Sequence, residues 1–254
     1  MLGIPPSTPY DWRFRLLNFP VRVNAWFWLL ALVLGWNILG RLRPPGNIIE
    51  LAVWVGCVLI SILIHELGHA LSARRFGASR ISIVLYGMGG LAINVGTRTR
   101  RERIQVLLSG PGAGFIVGIP CFLLWKFVPG LPFPIGSAVF FMWRISLIWG
   151  LVNLVPVFPL DGGQVMGEVI AGRDTLGSRE RMFKYSFIIA AGLAVLFLLI
   201  ARVLNNVPDL FIIASFVILA VYNYQLFKNP GGMMPEGPDE PRESWQRPSD
   251  WWKK

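Results

Sequence analysis

The stretch from Ile60 to Arg75, ISILIHELGHALSARR, combines an apolar run with side chains that can bind a metal ion. It contains His65 and His69, the only two histidines in the sequence, and Glu66 beside the first of them. Residues four apart lie on the same side of a helix, so the two imidazoles would point into one space. In this HExxH pattern two imidazoles hold zinc, and the glutamate accepts a proton from the attacking water. Because ionisable groups in an apolar span are costly, the pattern favours a functional site over two incidental histidines.

A catalytic zinc ion needs a third protein ligand, and the sequence offers no further histidine for it. Cys57 is about two helical turns from His65, too far along the helix to share the same ion. The third ligand should therefore be a carboxylate, and Asp161 is the best placed. It follows Pro156 and Pro159, which cannot continue a regular helix, so it is expected at the broken end of an apolar span.

The residues after Asp161 are expected to be irregular, because Gly162 and Gly163 free the backbone there. Irregular backbone at membrane depth is tolerated where it is buried in protein or lines a cavity. Three acids further along the chain are expected to be ordinary loop residues: Glu168, Asp174 and Glu180.

Together the two segments resemble the site-2 protease family of intramembrane zinc metalloproteases. The pattern of that family is HExxH on one span and NxxPxxPLDG on another, and the sequence matches both without a gap. The resemblance implies that His65, His69 and Asp161 bind one Zn²⁺ ion and that Glu66 is the general base. It also implies that Asn153 contacts the substrate backbone or the developing oxyanion. A purely structural role for Asn153 in helix packing stays open.

The resemblance covers about residues 48–165, a three-span catalytic core. It implies an enzyme that hydrolyses peptide bonds in or near the transmembrane segment of single-span membrane proteins. Many relatives also carry PDZ or CBS domains, and this chain is expected to be a compact form without either. Two other functions stay open: a catalytically inactive protein that binds membrane clients, and a metal transporter. The intact ligand set argues against the first, and ligands gathered on one side of the membrane argue against the second.

The elements that must position these residues are membrane spans. Hydrophobic residues make up 54% of the sequence and charged residues 15%, whereas a soluble domain is roughly a quarter charged. We expect an all-α polytopic membrane protein, with one domain over 1–228 and a disordered, Pro/Gly-rich tail over 229–254. Six apolar runs approach or exceed the ~20 residues that a spanning helix needs: 24–40, 48–73, 104–128, 137–158, 185–202 and 207–227.

Two further patterns concern packing and recognition. Residues 81–95 are too short to span as a helix and contain several glycines, which predicts a β-hairpin. Relatives have a re-entrant β element at this place, whose edge could pair with an unwound substrate, but a plain surface hairpin is an equal alternative. Gly110, Gly114 and Gly118 recur at spacings of four, which predicts a face for close helix packing.

The distribution of charge predicts the orientation. Most Lys and Arg residues fall in segments on the side of both termini, which is therefore expected to be the cytoplasm. This bias explains the net charge of +10 without a nucleic-acid partner. Because Arg74 and Arg75 mark the cytoplasmic boundary, the histidines are expected nearer the cytoplasmic face. The membrane is expected to be the cell membrane. No cleavable leader is expected. The role of Arg144, inside the fourth span, is not predicted.

Overall fold

The computed structural model describes residues 7–40, 45–87, 89–95, 99–171, 175–203 and 210–229. Among them, one compact unit extends to Leu151 and a second begins at Val152. The helices and strands follow one another in this order: β1 (Trp12–Leu16), β2 (Phe19–Val23), α1 (Ala25–Leu34), α2 (Gly46–Arg75), β3 (Arg80–Tyr86), β4 (Gly89–Val95), α3 (Arg100–Phe127), α4 (Ile135–Asn153), α5 (Asp161–Ile170), α6 (Thr175–Val203) and α7 (Leu210–Lys228).

Four of the described helices, α2, α3, α4 and α6, are long and apolar enough to cross a membrane by length and composition. They coincide with the second to fifth expected spans. The first expected span, 24–40, holds only the 10-residue α1 and a short 3-10 helix, Trp36–Gly40. At 1.5 Å per residue, α1 covers about half of a bilayer's hydrocarbon core. The helices therefore establish a polytopic protein, and the count of six spans stays a prediction.

The protein is mostly helical, as expected, and the first unit also contains a four-stranded sheet with the order β1-β2-β3-β4, which is larger than the single predicted hairpin. Strands β3 and β4 pair antiparallel and confirm the hairpin predicted over 81–95. Strands β1 and β2 were not predicted; they form a second antiparallel hairpin, and β2 pairs parallel with β3. Leu17 and Asn18, both with positive φ, make its two-residue turn, as the tight turns of twisted hairpins require.

A buried polar network fixes this sheet to the start of α1. Asp11 accepts hydrogen bonds from Arg22 Nη1 at 3.1 Å and from Asn24 Nδ2 at 3.0 Å. The backbone N–H of Asn24 donates to the carbonyl of Leu85 on β3 at 2.8 Å. Burial raises the pKa of Asp11, but hydrogen bonds from Thr8 and the neighbouring Arg22 outweigh it and hold that pKa below its usual value. The ion pair thus belongs to the interior of the unit.

Close approaches between helices in the first unit depend on glycine, as predicted for the small-residue face of α3. A Cβ on Gly114 would lie 3.2 Å from the carbonyl oxygen of Ser146 on α4, and one on Gly118 would lie 2.7 Å from Leu147. Arg144 of α4 is exposed, and its guanidinium lies 5.8 Å from the ring centroid of Phe140. It therefore makes a cation–π contact one turn away on its own helix.

In the second unit, α6 packs against α7 around Ala190, Ala194, Phe216 and Ala220, and Val157 lies fully buried in the same cluster. The irregular stretch expected after Asp161 is instead helix α5, which carries Glu168. Glu180 likewise lies on α6, not in a loop, whereas Asp174 and the predicted tail beyond 229 fall outside the described residues.

The physical reason for this helix lies in its first turn. An acidic residue directly after a proline segment is typical of a helix N-terminus. Gly162 and Gly163 do not loosen the backbone; a Cβ on Gly162 would collide with the carbonyl of Leu154, and one on Gly163 with the carbonyl carbon of Val157. They permit close backbone packing within the second unit.

Candidate metal centre

His65 and His69 lie one turn apart on α2, and both are buried. Their Nε2 atoms are 3.1 Å apart, and the two rings meet edge-on at 79°. Glu66 is also buried. The helical spacing therefore brings two imidazole nitrogens to a common point, as one metal ion requires.

Helix α3 sets the orientation of the second histidine. His69 Nδ1 lies 2.7 Å from the carbonyl oxygen of Val106. A carbonyl only accepts hydrogen bonds, so Nδ1 carries the proton, and the lone pair is on Nε2, where a metal would bind. Ser109 Oγ lies 2.6 Å from the same carbonyl oxygen and 2.9 Å from that of Gly68. The hydroxyl thus links the HExxH turn of α2 to α3.

Two glycines make room for this arrangement. A Cβ on Gly110 of α3 would occupy the place of the His69 ring, and one on Gly68 would collide with the carbonyl of Ser109. A Cβ on Gly112, two residues along α3, would meet nothing within 4 Å. The spacing of the glycines predicted close packing, but not that Gly110 forms part of the cradle around a candidate ligand.

Strand β4 lies directly against Glu66. A Cβ on Gly90 would overlap the Glu66 side chain, including its carboxylate. The neighbouring Gly89 has φ +123°, and a Cβ there would lie 2.8 Å from the Trp149 ring. Only a strand without side chains at this point could pass so close. The cluster of glycines in GMGG is the available signal; it predicts a β-hairpin but does not indicate that the strand passes against Glu66.

The other candidate residues lie in the second unit. Asn153 is the last residue of α4, and Asp161 is the first residue of α5; both are buried. The start of a helix favours a negative charge, which suits an ionised carboxylate at Asp161.

The segment between Asn153 and Asp161 is held by hydrogen bonds to its backbone. The N–H of Phe158 donates to Ser186 Oγ on α6 at 3.0 Å, and its carbonyl accepts from Asn223 Nδ2 on α7 at 2.6 Å. Gln164 Nε2 donates to the carbonyl of Pro159 at 3.0 Å. Sequence reasoning missed Ser186 and Asn223, since neither belongs to a recognisable motif.

His65 and His69 in the first unit and Asp161 in the second unit are buried side chains of the kinds that bind metal ions. The donors are two imidazoles and one carboxylate, with a second carboxylate, Glu66, beside the first imidazole. Such a three-ligand set matches the His₂-carboxylate sets of catalytic zinc sites, which leave a position open for water. The residues present therefore fit zinc.

Four described helices long and apolar enough to span a membrane, one of which carries the buried HExxH side chains His65, Glu66 and His69, indicate an integral membrane protein with a metal-binding motif. The family model described as Peptidase family M50 matches residues 53–136 and 132–199, more than half of the sequence. The chain therefore belongs to Peptidase family M50. This match confirms the resemblance drawn from the two motifs and extends it through most of α6.

Two curated relatives are similar to part of this chain. The zinc metalloprotease MJ0392 of Methanocaldococcus jannaschii is 26% identical over 163 residues, which cover 62% of this chain and 44% of the relative. Stage IV sporulation protein FB of Bacillus subtilis is 28% identical over 153 residues, which cover 59% of this chain and 47% of the relative. The chain spans less than half the length of these relatives.

A solved structure, the Site-2 Protease from Methanocaldococcus jannaschii, has the same fold. The TM-score is 0.58 at 23% sequence identity, and the match covers 86% of this chain and 95% of that one. At 23% identity the likeness concerns the fold alone and not the chemistry of the site.

Proposed function

We propose that this protein is an intramembrane zinc metalloprotease that hydrolyses peptide bonds in or near the transmembrane segments of membrane proteins. The observation that carries the proposal is the HExxH turn of α2, whose buried imidazoles have Nε2 atoms 3.1 Å apart in a spanning helix of a Peptidase family M50 chain. Relatives described as zinc metalloproteases support the same activity.

In this proposal His65, His69 and Asp161 hold one zinc ion through their imidazoles and carboxylate. A bound zinc ion would supply Lewis acidity toward a carbonyl oxygen and would make water a stronger acid. The hydrogen bond from His69 to Val106 keeps one imidazole in the tautomer that can serve as ligand. Such partners of the ligands also fix the ring orientation before the ion arrives.

Glu66 is the proposed general base. Its carboxylate takes a proton from the attacking water and delivers a proton to the amide nitrogen that leaves. The water oxygen bonds to the carbonyl carbon while the C–N bond breaks, so the products are a carboxylate and an amine. Asn153 is proposed to donate its amide N–H to the carbonyl oxygen on which negative charge develops.

A substrate helix must unwind before it is cut, because its carbonyl groups are otherwise hydrogen-bonded within the helix. We propose that the β3–β4 hairpin is a re-entrant element and that the unwound segment aligns with β4. Two features support this: β4 is the last strand in the sheet order, and Gly90 brings its backbone against Glu66. A segment added there would lie beside the proposed base.

The proposed topology has six spans, formed by α2, α3, α4 and α6 together with α7 and the α1 region. Both termini are cytoplasmic, and the metal site lies nearer that face of the cell membrane. The excess of Lys and Arg in the segments on the side of the termini supports this orientation. Single-span membrane proteins are the proposed substrates.

The test is the Glu66→Gln variant, compared with wild type in cells by proteomics of membrane-protein fragments. We expect cleavage products to disappear while the purified variant keeps its zinc, because the amide cannot act as base and is not a ligand. Undiminished cleavage by Glu66→Gln would rule out the proposed base. Zinc-loaded wild type that cuts nothing would instead indicate a client-binding protein, and metal flux in proteoliposomes would indicate a transporter.

A further inference from the structure

Two fully buried polar residues of the second unit have no part in the proposed chemistry. Asn223 on α7 and Ser186 on α6 are both 0% exposed, in a helix pair that packs around an apolar cluster. A buried amide or hydroxyl in such surroundings is costly unless it is hydrogen-bonded. Their partners therefore indicate what they are for.

Both amide hydrogens of Asn223 are used on backbone carbonyls. Nδ2 donates to Phe158 at 2.6 Å and to Leu219, one turn back on α7, at 2.8 Å. Since carbonyl oxygens only accept, these two contacts also fix which end of the amide is nitrogen. Ser186 Oγ accepts from the N–H of Phe158 at 3.0 Å. One residue of the irregular segment is thus held at both of its backbone groups.

The side chain of Phe158 is held by the same two helices. Its ring meets Phe183 of α6 edge-on at 5.5 Å between centroids and stacks on Tyr222 of α7 at 6.4 Å. The preceding residue, Val157, is fully buried between α6 and α7, and its carbonyl accepts from the N–H of Leu160 at 2.9 Å. The position of this segment therefore determines where α5 starts.

We propose that Asn223 and Ser186 are positioning residues for the carboxylate of Asp161, which lies three residues beyond Phe158. In this view the α6–α7 pair holds the segment that positions one metal ligand. The inference rests on the proposed function, because it takes Asp161 to be a zinc ligand. It adds two residues, on helices without a motif, to those that determine metal affinity.

The expected effect on zinc affinity follows from the loss of the hydrogen bonds that hold Phe158. Without the amide of Asn223, the Phe158 carbonyl is left in apolar surroundings with no donor from α7, and the segment relaxes toward other partners. A carboxylate that is no longer held in place pays additional ordering entropy on binding the ion. Loss of residues that orient ligands lowers metal affinity by about 10- to 100-fold.

The experiment measures zinc affinity of the purified full chain in detergent by competition with a chelator. We expect Asn223→Leu to weaken zinc binding about 10-fold and Ser186→Ala by a smaller factor. The matched control is Asn47→Leu, because Asn47 is also a buried asparagine that donates to a backbone carbonyl, that of Leu39, at 3.1 Å. Asn47→Leu should lower the melting temperature and leave zinc affinity unchanged.

The decisive comparison repeats Asn223→Leu in an Asp161→Ala background. If Asn223 acts through Asp161, its substitution should have no further effect on zinc affinity there. An equal loss with and without Asp161 would overturn the inference, as would unchanged affinity in Asn223→Leu. If Asn223→Leu does not fold, Ser186→Ala is judged by the same criteria. Full affinity in Asp161→Ala alone would instead refute the ligand assignment of the proposed function.

Discussion

The segments that carry the proposed metal ligands are built in different ways. His65 and His69 lie on one regular helix of 30 residues, and the helical repeat itself puts their rings together. Asp161 opens a 10-residue helix after an irregular segment, which is held by hydrogen bonds from residues as far as 65 positions away. The HExxH segment therefore owes its geometry to local structure, and the Asp161 segment owes its geometry to tertiary contacts. Adding a methyl group at a closely packed glycine should therefore lower zinc affinity to different degrees in the two segments.

The largest loss of zinc affinity is expected from a substitution beside His69, because the regular helices α2 and α3 cannot move apart easily. Gly110→Ala would place a methyl group in the space of the His69 ring, between two closely packed helices. Overpacking of this kind costs about 1–3 kcal/mol, so we expect a fall in zinc affinity of up to about 100-fold, measured by chelator competition.

Gly112→Ala is the matched control for Gly110→Ala, because the same change on the same helix meets nothing within 4 Å. It should leave affinity unchanged and should slightly stabilise α3, since alanine favours a helix more than glycine does. Equal behaviour of the two variants would show that the ring of His69 is not confined by α3.

A smaller effect on zinc affinity is expected from the corresponding change in the Asp161 segment. In Gly162→Ala the new methyl group would meet the carbonyl of Leu154, so the start of α5 must shift and move Asp161 with it. Because the irregular segment can absorb part of that shift, we expect about a 10-fold weaker affinity. Gly192→Ala on α6 meets nothing within 4 Å and serves as the control. A loss of zinc affinity as large as that of Gly110→Ala would mean that the irregular segment is as rigid as the helix.

The smallest effect is expected from Ser109→Ala. The variant loses a hydroxyl shared between the carbonyls of Val106 and Gly68, while the hydrogen bond from His69 to Val106 remains. We expect about 1 kcal/mol of lost stability, read as a lower melting temperature, and nearly unchanged zinc affinity. A clear loss of zinc affinity at an unchanged melting temperature would show that Ser109 orients His69.

Local patterns explain what could be predicted from the sequence. The HExxH spacing predicted the meeting of two imidazoles because a helix repeats every 3.6 residues whatever surrounds it. Long apolar runs predicted α2, α3, α4 and α6, and the glycine pattern predicted the hairpin of β3 and β4. For Asp161 the sequence predicted the break before it, but not the helix that it begins.

The remainder depended on contacts that no local pattern encodes. The alternation of apolar residues with Arg13 and Arg15 is typical of a strand, but the two arginines lower the hydropathy of β1, so a search for long apolar runs does not detect it. Nothing near Asn223 in the sequence indicates that it reaches Phe158. Gly90 is similar, because nothing near it in the sequence indicates that β4 passes against the side chain of Glu66.

The parallel pairing of β2 with β3 has a consequence for biosynthesis. Val21 pairs with Ile83, and the chain between them includes α1 and the whole of α2. The hairpin of β1 and β2 is therefore synthesised first but must wait for its neighbour until the HExxH helix has been made. Pairings between residues distant in sequence form late and slowly. The pairing of β2 with β3 can thus form only after α2 has been synthesised. If α2 failed to insert, the unpaired edge of β2 would stay exposed and could aggregate.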